Sequence, residues 1–280
     1  MAYPIVSAPY GFKPINLIGG QVFAGSTRQV PIPYNYGTAL NNGDLIQLSG
    51  GTIAVSTLTY NSTSYVAGTI GVFLGCSFTS PSTGQKLFSN SLPANTLAND
   101  IVAYVEDDPD AVFQAVVVPY STTTSTTPLL VSQAYVGTNL FVNSSNVSTS
   151  PNVTPPNGVS AMAVQAASGN TRLTTTAPFR IVGLNTDTAV NVTAAATTSS
   201  TTLTLSSANS NLTVGMQVFG PGIFQGSYNY ITAISGTTVT LANAVTTAQS
   251  TAVNFTFFGC PEVKVKWNFG YHSYYAAAGV

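Results

Sequence analysis

Ile101-Val102-Ala103-Tyr104-Val105-Glu106-Asp107-Asp108-Pro109-Asp110-Ala111-Val112-Phe113-Gln114-Ala115-Val116-Val117-Val118 is the stretch that decides the fold class. Two runs of β-branched and aromatic residues flank an acidic tetrad that carries a proline. Such runs suit a pleated, buried strand, and neither keeps the 3.6-residue apolar period of a helix. Proline has no N–H to give to a ladder, so Asp107 to Asp110 predicts a turn or bulge at a sheet end. The same pattern recurs in Leu45-Ile46-Gln47-Leu48 and Thr52-Ile53-Ala54-Val55, each bounded by Gly, Asn, Pro or Ser. The chain therefore reads as all-β. Asn42-Gly43 and Ser49-Gly50-Gly51 tolerate positive φ, which predicts a three-stranded meander over Thr38 to Val55. Helix is expected only as a turn or so near Ala94 to Asn99 and at Ser132 to Val136.

A second unit stands out further along. Thr202-Leu203-Thr204-Leu205, Leu212 to Val218, Tyr230 to Ile234, Thr237 to Leu241 and Val253 to Phe257 alternate apolar and polar residues around Gly220-Pro221-Gly222 and Ser235-Gly236. Five short strands at this spacing predict a small β-barrel or β-sandwich. Its flanks, Ala177 to Leu184 and Pro261 to Asn268, are themselves strand-like and read as neighbours in one sheet, opened by an insertion at a hairpin tip. Arg180 and Glu262 are expected to pair across them. The expected organisation is an N-terminal arm over 1–15, a discontinuous β-barrel or sandwich base over 16–188 plus 258–280, and an inserted β-module over 189–257. Ser121 to Pro128 and Asn143 to Gly158, almost free of apolar residues, read as exposed loops.

Composition narrows the function. Only 5% of the 280 residues are Asp, Glu, Lys or Arg, against about 25% in an ordinary soluble domain. Eight carboxylates, one histidine and two cysteines leave little for acid–base or metal chemistry, so a contact protein is expected rather than an enzyme, with no cofactor. A net charge of −1, with Lys264 and Lys266 as the one close basic pair, gives no footprint for nucleic acid or an anionic membrane surface. The opening residues lack the charged and apolar regions of a secretory signal, and no apolar run approaches the ~20 residues of a membrane helix.

Few residues invite a chemical reading. Glu106, Asp107, Asp108 and Asp110 are four of the eight carboxylates, and Asp107, Asp108 and Asp110 are the candidate calcium ligands. The competing reading is a solvated turn that discourages edge-to-edge strand pairing. His272 in Tyr271-His272-Ser273-Tyr274-Tyr275 has serine beside it, but adjacent strand residues point to opposite faces. It is expected at a surface or interface, not in a catalytic pair. Tyr271, Tyr274 and Tyr275 are candidates for stacking on sugars, as in a carbohydrate-binding adhesin. Cys76 and Cys260 sit in similar Phe/Gly settings and read either as small buried hydrophobes or as a disulfide. Seven Asn-X-Ser/Thr sequons occur, a number that a chain this rich in those residues produces by chance.

Several motifs in order along the chain resemble capsid decoration (cement) proteins of tailed bacteriophages. They are Gly11-Phe12-Lys13-Pro14, then Tyr34, Gly37-Thr38-Ala39-Leu40 and Asn42-Gly43-Asp44, then Gly71-Val72-Phe73-Leu74-Gly75-Cys76. Ala103-Tyr104-Val105 with Asp107 to Gln114 follows, then Pro178-Phe179-Arg180-Ile181-Val182-Gly183, and lastly Pro261-Glu262-Val263-Lys264-Val265. The insertion separately resembles small β-modules of virion proteins through Val214-Gly215-Met216 and Ala233 to Val239. The low charge and the Ser/Thr content resemble structural proteins of phages that infect cyanobacteria. The resemblance implies a protein made in the host cytoplasm and carried on the capsid exterior, with the major capsid protein as partner. It implies a homo-oligomer too, for which a trimer suits the capsid three-fold positions. Tyr3, Ile5, Val6, Tyr10 and Phe12 of the arm are then the candidate capsid contacts, ordering on a neighbour through their aromatic and apolar side chains. A tail or neck structural protein is the further alternative.

Overall fold

A computed structural model of the chain describes residues 6, 8–17, 20–56, 58, 69–120, 128–143, 158–168, 173, 177–185, 189–223 and 229–275. The two Ser/Thr/Asn-rich loops lie almost wholly outside the described residues. Among those described the fold is all-β, with helical turns limited to short 3-10 segments such as Gln133–Tyr135 and Ser273–Tyr275. The first answers the helical turn expected at Ser132 to Val136; Ala94 and Asn95 form only a turn. The chain divides into two compact units. The larger comprises Ser7–Leu129, Gly137–Val182 and Val263–Val280, and the smaller comprises Gly183–Glu262 with Leu130–Val136 and the residues up to Val6.

The larger unit is built round a barrel. Its strands run in the order β1 (Lys13–Leu17), β10 (Ala111–Val118), β12 (Ala163–Gln165), β11 (Asn139–Asn143), β13 (Phe179–Leu184) and β20 (Glu262–Trp267), and a further pairing of β10 with β20 closes five of them. The ladder is mixed: β10 and β12 run parallel through Val117↔Val164, while β1 and β10 run antiparallel through Lys13↔Gln114. β20 shows why this sequence folds so, since Val263, Val265 and Trp267 point inward and Lys264 lies exposed. Strand β10 is buried at every position but Gln114, as expected where both faces are covered. Phe12, Phe113, Phe179 and Trp267 fill the barrel. Phe179 stacks on Phe12 with centroids 4.7 Å apart and lies 4.3 Å from Trp267, and Phe113 meets all three edge-on.

A second sheet in this unit has the order β2 (Arg28–Pro31), β9 (Val102–Glu106), β6 (Thr69–Thr79), β4 (Leu45–Ser49) and β5 (Thr52–Val55), with β7 (Lys86–Ser89) also on β6. Ile46, Ile53, Ile70, Phe73, Ala103 and Val105 form its core. The three-stranded meander is corrected here. β4 and β5 do form a hairpin, but β3 (Leu40–Asn41) pairs with β8 (Ser91–Leu92). Asn42-Gly43 is no hairpin turn because its backbone is bound elsewhere: Asn42 bridges Val159 and the Gly43 N–H donates to the Phe73 carbonyl at 2.8 Å.

In the smaller unit one sheet has the order β16 (Gln217–Phe219), β19 (Gln249–Phe258), β14 (Ala189–Ala196), β15 (Thr202–Leu205), β18 (Thr238–Leu241) and β17 (Ile231–Ser235). β16 also meets the residues just before β17, through the isolated bridge Gln217↔Tyr230 and the bond from the Val218 N–H to the Asn229 carbonyl. The alternating inward set Val190, Val192, Leu203, Leu205, Val239, Leu241, Phe255 and Phe257 forms the core. Sequence reading missed β14, whose alanines hide a strand signal, and placed the strand over 212–218 where only Gln217–Phe219 is strand.

β13 and β20 are neighbours in the barrel, the adjacency expected of the segments Ala177 to Leu184 and Pro261 to Asn268. The Arg180–Glu262 pair is corrected: Arg180 Nε donates to Asn139 Oδ1 at 3.3 Å, and Glu262 accepts from Asn185 Nδ2 at 3.0 Å. Register decides this, since Arg180 lies directly opposite Asn139.

Candidate functional site

The acidic turn joins β9 of one sheet to β10 of the barrel. The Asp110 N–H donates to Asp108 Oδ1 at 2.8 Å and the Asp108 N–H to Glu106 Oε1 at 3.1 Å. These local bonds hold the turn as aspartates commonly do. The remaining carboxylates are bound by residues distant in sequence. Arg28 on β2 lies 2.9 Å from Asp107 Oδ2, and the Tyr274 hydroxyl donates to that same oxygen. The Arg28 guanidinium also sits 5.6 Å from the Tyr274 ring centroid, a cation–π arrangement. The Tyr275 hydroxyl donates to Asp110 Oδ1 at 2.9 Å, with Lys266 Nζ 3.6 Å away. Asp107, Asp108 and Asp110 thus turn their oxygens toward separate partners. Among the described residues no group of three or more His, Cys, Asp or Glu converges to hold a metal ion. The turn is a latch that fastens the C-terminal tyrosines to the second sheet.

His272 lies fully buried in this latch, which corrects its expected place at a surface. Nε2 faces the Ile70 carbonyl at 2.6 Å and Nδ1 accepts the Tyr274 N–H at 3.2 Å. Those roles require the neutral tautomer with the proton on Nε2, and burial holds the ring's pKa below its ordinary value. The ring packs edge-on against Trp267 at 5.7 Å, so it acts as a structural tie. Of the tyrosines proposed for sugar stacking, Tyr271 is buried and Tyr274 has Arg28 over its ring. Tyr275 stacks on Phe269, a residue that is 82% exposed. Phe269 escaped the sequence reading because a lone phenylalanine after a strand carries no motif. Arg180, Lys266, Asn268, Phe269 and Tyr275 line a cavity of about 460 Å³.

Two buried acids give the larger unit a pH dependence. Burial pushes Glu106 up to about 7 from its ordinary 4.5, with the neighbouring Asp108 and Asp107 charges adding to the effect. Burial likewise pushes Asp44 up to about 6 from 3.8, against hydrogen bonds from Ser160 and the Asn41 N–H. Both hold a proton more tightly folded than unfolded. Their contribution to stability is complete below about pH 4 and is lost as pH rises through about 7. The urea midpoint of Glu106→Gln is therefore expected to fall less than that of the parent chain between about pH 5 and 7.5. Equal declines in the two proteins would exclude Glu106 as a source.

The cysteines are free and buried, one in each unit. Burial pushes both thiols up to about 11, which leaves little thiolate at neutral pH. They behave as small hydrophobes.

The described part of the arm departs from the expected reading at Phe12, which is fully buried in the barrel and is corrected from a capsid contact to a core residue. The cause is local. The Gly11 N–H donates to Met162 O at 3.0 Å and the Phe12 N–H to Gly43 O at 2.9 Å, and β1 begins at Lys13. A Cβ on Gly11 would stand 2.5 Å from Ser160 Cβ, so the close approach requires glycine. Val6 and Tyr10 are half-buried; Tyr3 and Ile5 lie outside the described residues. Among the described residues no helix is long and apolar enough to cross a membrane.

Comparison of the chain with protein-family models, with curated proteins and with solved structures finds no match.

Proposed function

We propose that this protein is a non-enzymatic structural protein of a tailed-phage virion, bound to the outer face of the capsid with the major capsid protein as its partner. One observation carries the reading. The short motifs that resemble decoration proteins are far apart in sequence, yet Gly11-Phe12, Asp107 to Gln114, Pro178 to Gly183 and Pro261 to Val265 supply adjoining parts of one barrel. Phe12 stacks on Phe179, Phe113 packs edge-on to both, and β20 lies beside β13. The chemistry of the ionisable groups agrees. Asp107, Asp110, Arg28, Lys266 and His272 are engaged in contacts that hold the fold, and a neutral exterior suits broad contact with another protein.

A second reading, a carbohydrate-binding adhesin, draws on the exposed Phe269–Tyr275 stack beside Arg180 and Lys266. One pair of measurements separates the two. The whole chain is expected to co-sediment saturably with heads built from the cognate major capsid protein, and to give no signal on a glycan array. Absence of capsid binding at micromolar concentration overturns the decoration reading. Glycan binding that Phe269→Ala abolishes establishes the adhesin instead.

A further inference from the structure

We infer that the outer face of the larger unit's barrel is the surface that docks on the capsid, and that it fits an acidic patch of the major capsid protein. This inference rests on the capsid reading and adds which face binds and by what chemistry. Strand alternation builds the face. Phe12, Phe113, Phe179, Val263, Val265 and Trp267 are buried in the barrel, so their chain neighbours Lys13, Gln114, Arg180, Lys264 and Lys266 point outward. Lys13 lies directly opposite Gln114 of β10, β10 pairs with β20, and β20 lies beside β13. Four of the chain's seven cations, far apart in sequence, thereby stand on adjoining strands of one face.

Three features define the partner. The first is charge. Lys13, Arg180 and Lys264 are exposed, and none of them pairs with a described carboxylate; of the described ion pairs only Lys266–Asp110, at 3.6 Å, touches this face. In a chain with 5% charged residues, such a cluster sets up a local positive potential that steers and registers an anionic surface. The second is an anchor. The exposed Phe269 stacks on Tyr275 with centroids 5.8 Å apart, and both line the hollow of about 460 Å³ beside Arg180 and Lys266. Aromatic rings and arginine together are the composition of an interface centre. The third is layout. Lys13 and Arg180 are three strand spacings apart, about 14 Å along the barrel surface, so the cations cover a broad patch suited to a protein face rather than a single line suited to a polyanionic strand. A second copy of this chain does not supply the match. Its Asp44 and Glu106 are buried, and Asp100, Asp107 and Asp110 are in ion pairs.

Co-sedimentation of the whole chain with heads built from the cognate major capsid protein tests the assignment. The parent's affinity is expected to fall at least about fivefold between about 50 and 300 mM NaCl. The triple variant Lys13→Gln, Arg180→Gln, Lys264→Gln should bind about tenfold more weakly at the lower salt and lose most of the salt dependence. Phe269→Ala should weaken binding by about tenfold. Lys13→Gln with Lys264→Gln, which removes no described ion pair, should show an intermediate loss with the Trp267 unfolding transition unmoved, which separates docking from folding. Lys86→Gln, on the second sheet, removes the same unit of charge away from this face and should stay within about twofold of the parent. Parent and triple variant binding heads within about twofold of each other overturns the docking face while leaving the capsid reading in place. No binding of the parent to heads overturns both. Binding of the parent to dextran sulfate as tight as to heads, lost in the same triple variant, makes the face a general polyanion site and overturns the acidic protein partner.

Discussion

Phe179→Ala lowers the stability of the larger unit by about 3–5 kcal/mol, the range for truncating a fully buried aromatic ring. Phe179 touches every other ring of the barrel core, stacking on Phe12 at 4.7 Å, tilting against Trp267 at 4.3 Å and meeting Phe113 edge-on at 6.5 Å. Its removal leaves a void bounded by Phe12, Phe113 and Trp267, from three distant parts of the chain, which the closed ladder keeps from collapsing. The chain's one tryptophan, Trp267, is in this core, so its fluorescence during urea unfolding reports this unit alone. The expected result is a tryptophan transition at markedly lower urea. Phe12→Ala is expected to move the same transition in the same direction, because Phe12 forms the other half of the stack. A loss below about 1 kcal/mol for Phe179→Ala would mean that the ring cluster does not hold the barrel together.

Gly71→Ala is the second large effect, with a loss of at least about 3 kcal/mol expected from overpacking against backbone. A Cβ at Gly71 would lie 1.8 Å from the Glu106 carbonyl oxygen and 3.0 Å from Asp107 Cα. Neither neighbour is the end of a flexible side chain, so β6 and the end of β9 must separate. The strain reaches the acidic turn, where Asp107 holds Arg28 and Tyr274, and it reaches the Ile70 carbonyl that faces His272. Amide exchange of Gly71→Ala should therefore rise at the Tyr274 N–H, which donates to His272, as well as in β6. Gly84→Ala serves as the control, because its Cβ would meet nothing within 4 Å; its positive φ should cost about 1 kcal/mol. Equal losses in the two variants would remove the close approach as the cause.

These two positions mark how far the sequence could be read. The apolar runs from Val102 to Val105 and from Ala111 to Val118 were legible as strands because β-branched residues and bounding turns act locally. Nothing local said that they belong to different sheets. Phe12 was misread because Pro-rich residues before it resemble an arm, whereas its burial depends on Phe179, far along the chain. Gly71 stood out only as the first residue of a resemblance motif, and its structural importance was not legible because it comes from the backbone that passes over it. The latch was half legible. Four acidic residues in a row of five drew attention to the turn, but Arg28, Lys266, Tyr274 and Tyr275 were identified as its partners only by the fold.

What the sequence by itself determined is therefore the all-β class, the strand character of the flanks Ala177 to Leu184 and Pro261 to Asn268 and the poverty of ionisable groups, because composition and period-two alternation are properties of neighbouring residues. Only the tertiary structure decided that Phe12 is core and that the acidic turn is a latch. Each of those depends on pairing between residues far apart in the chain, and strand registry, unlike strand propensity, is set by the whole barrel at once.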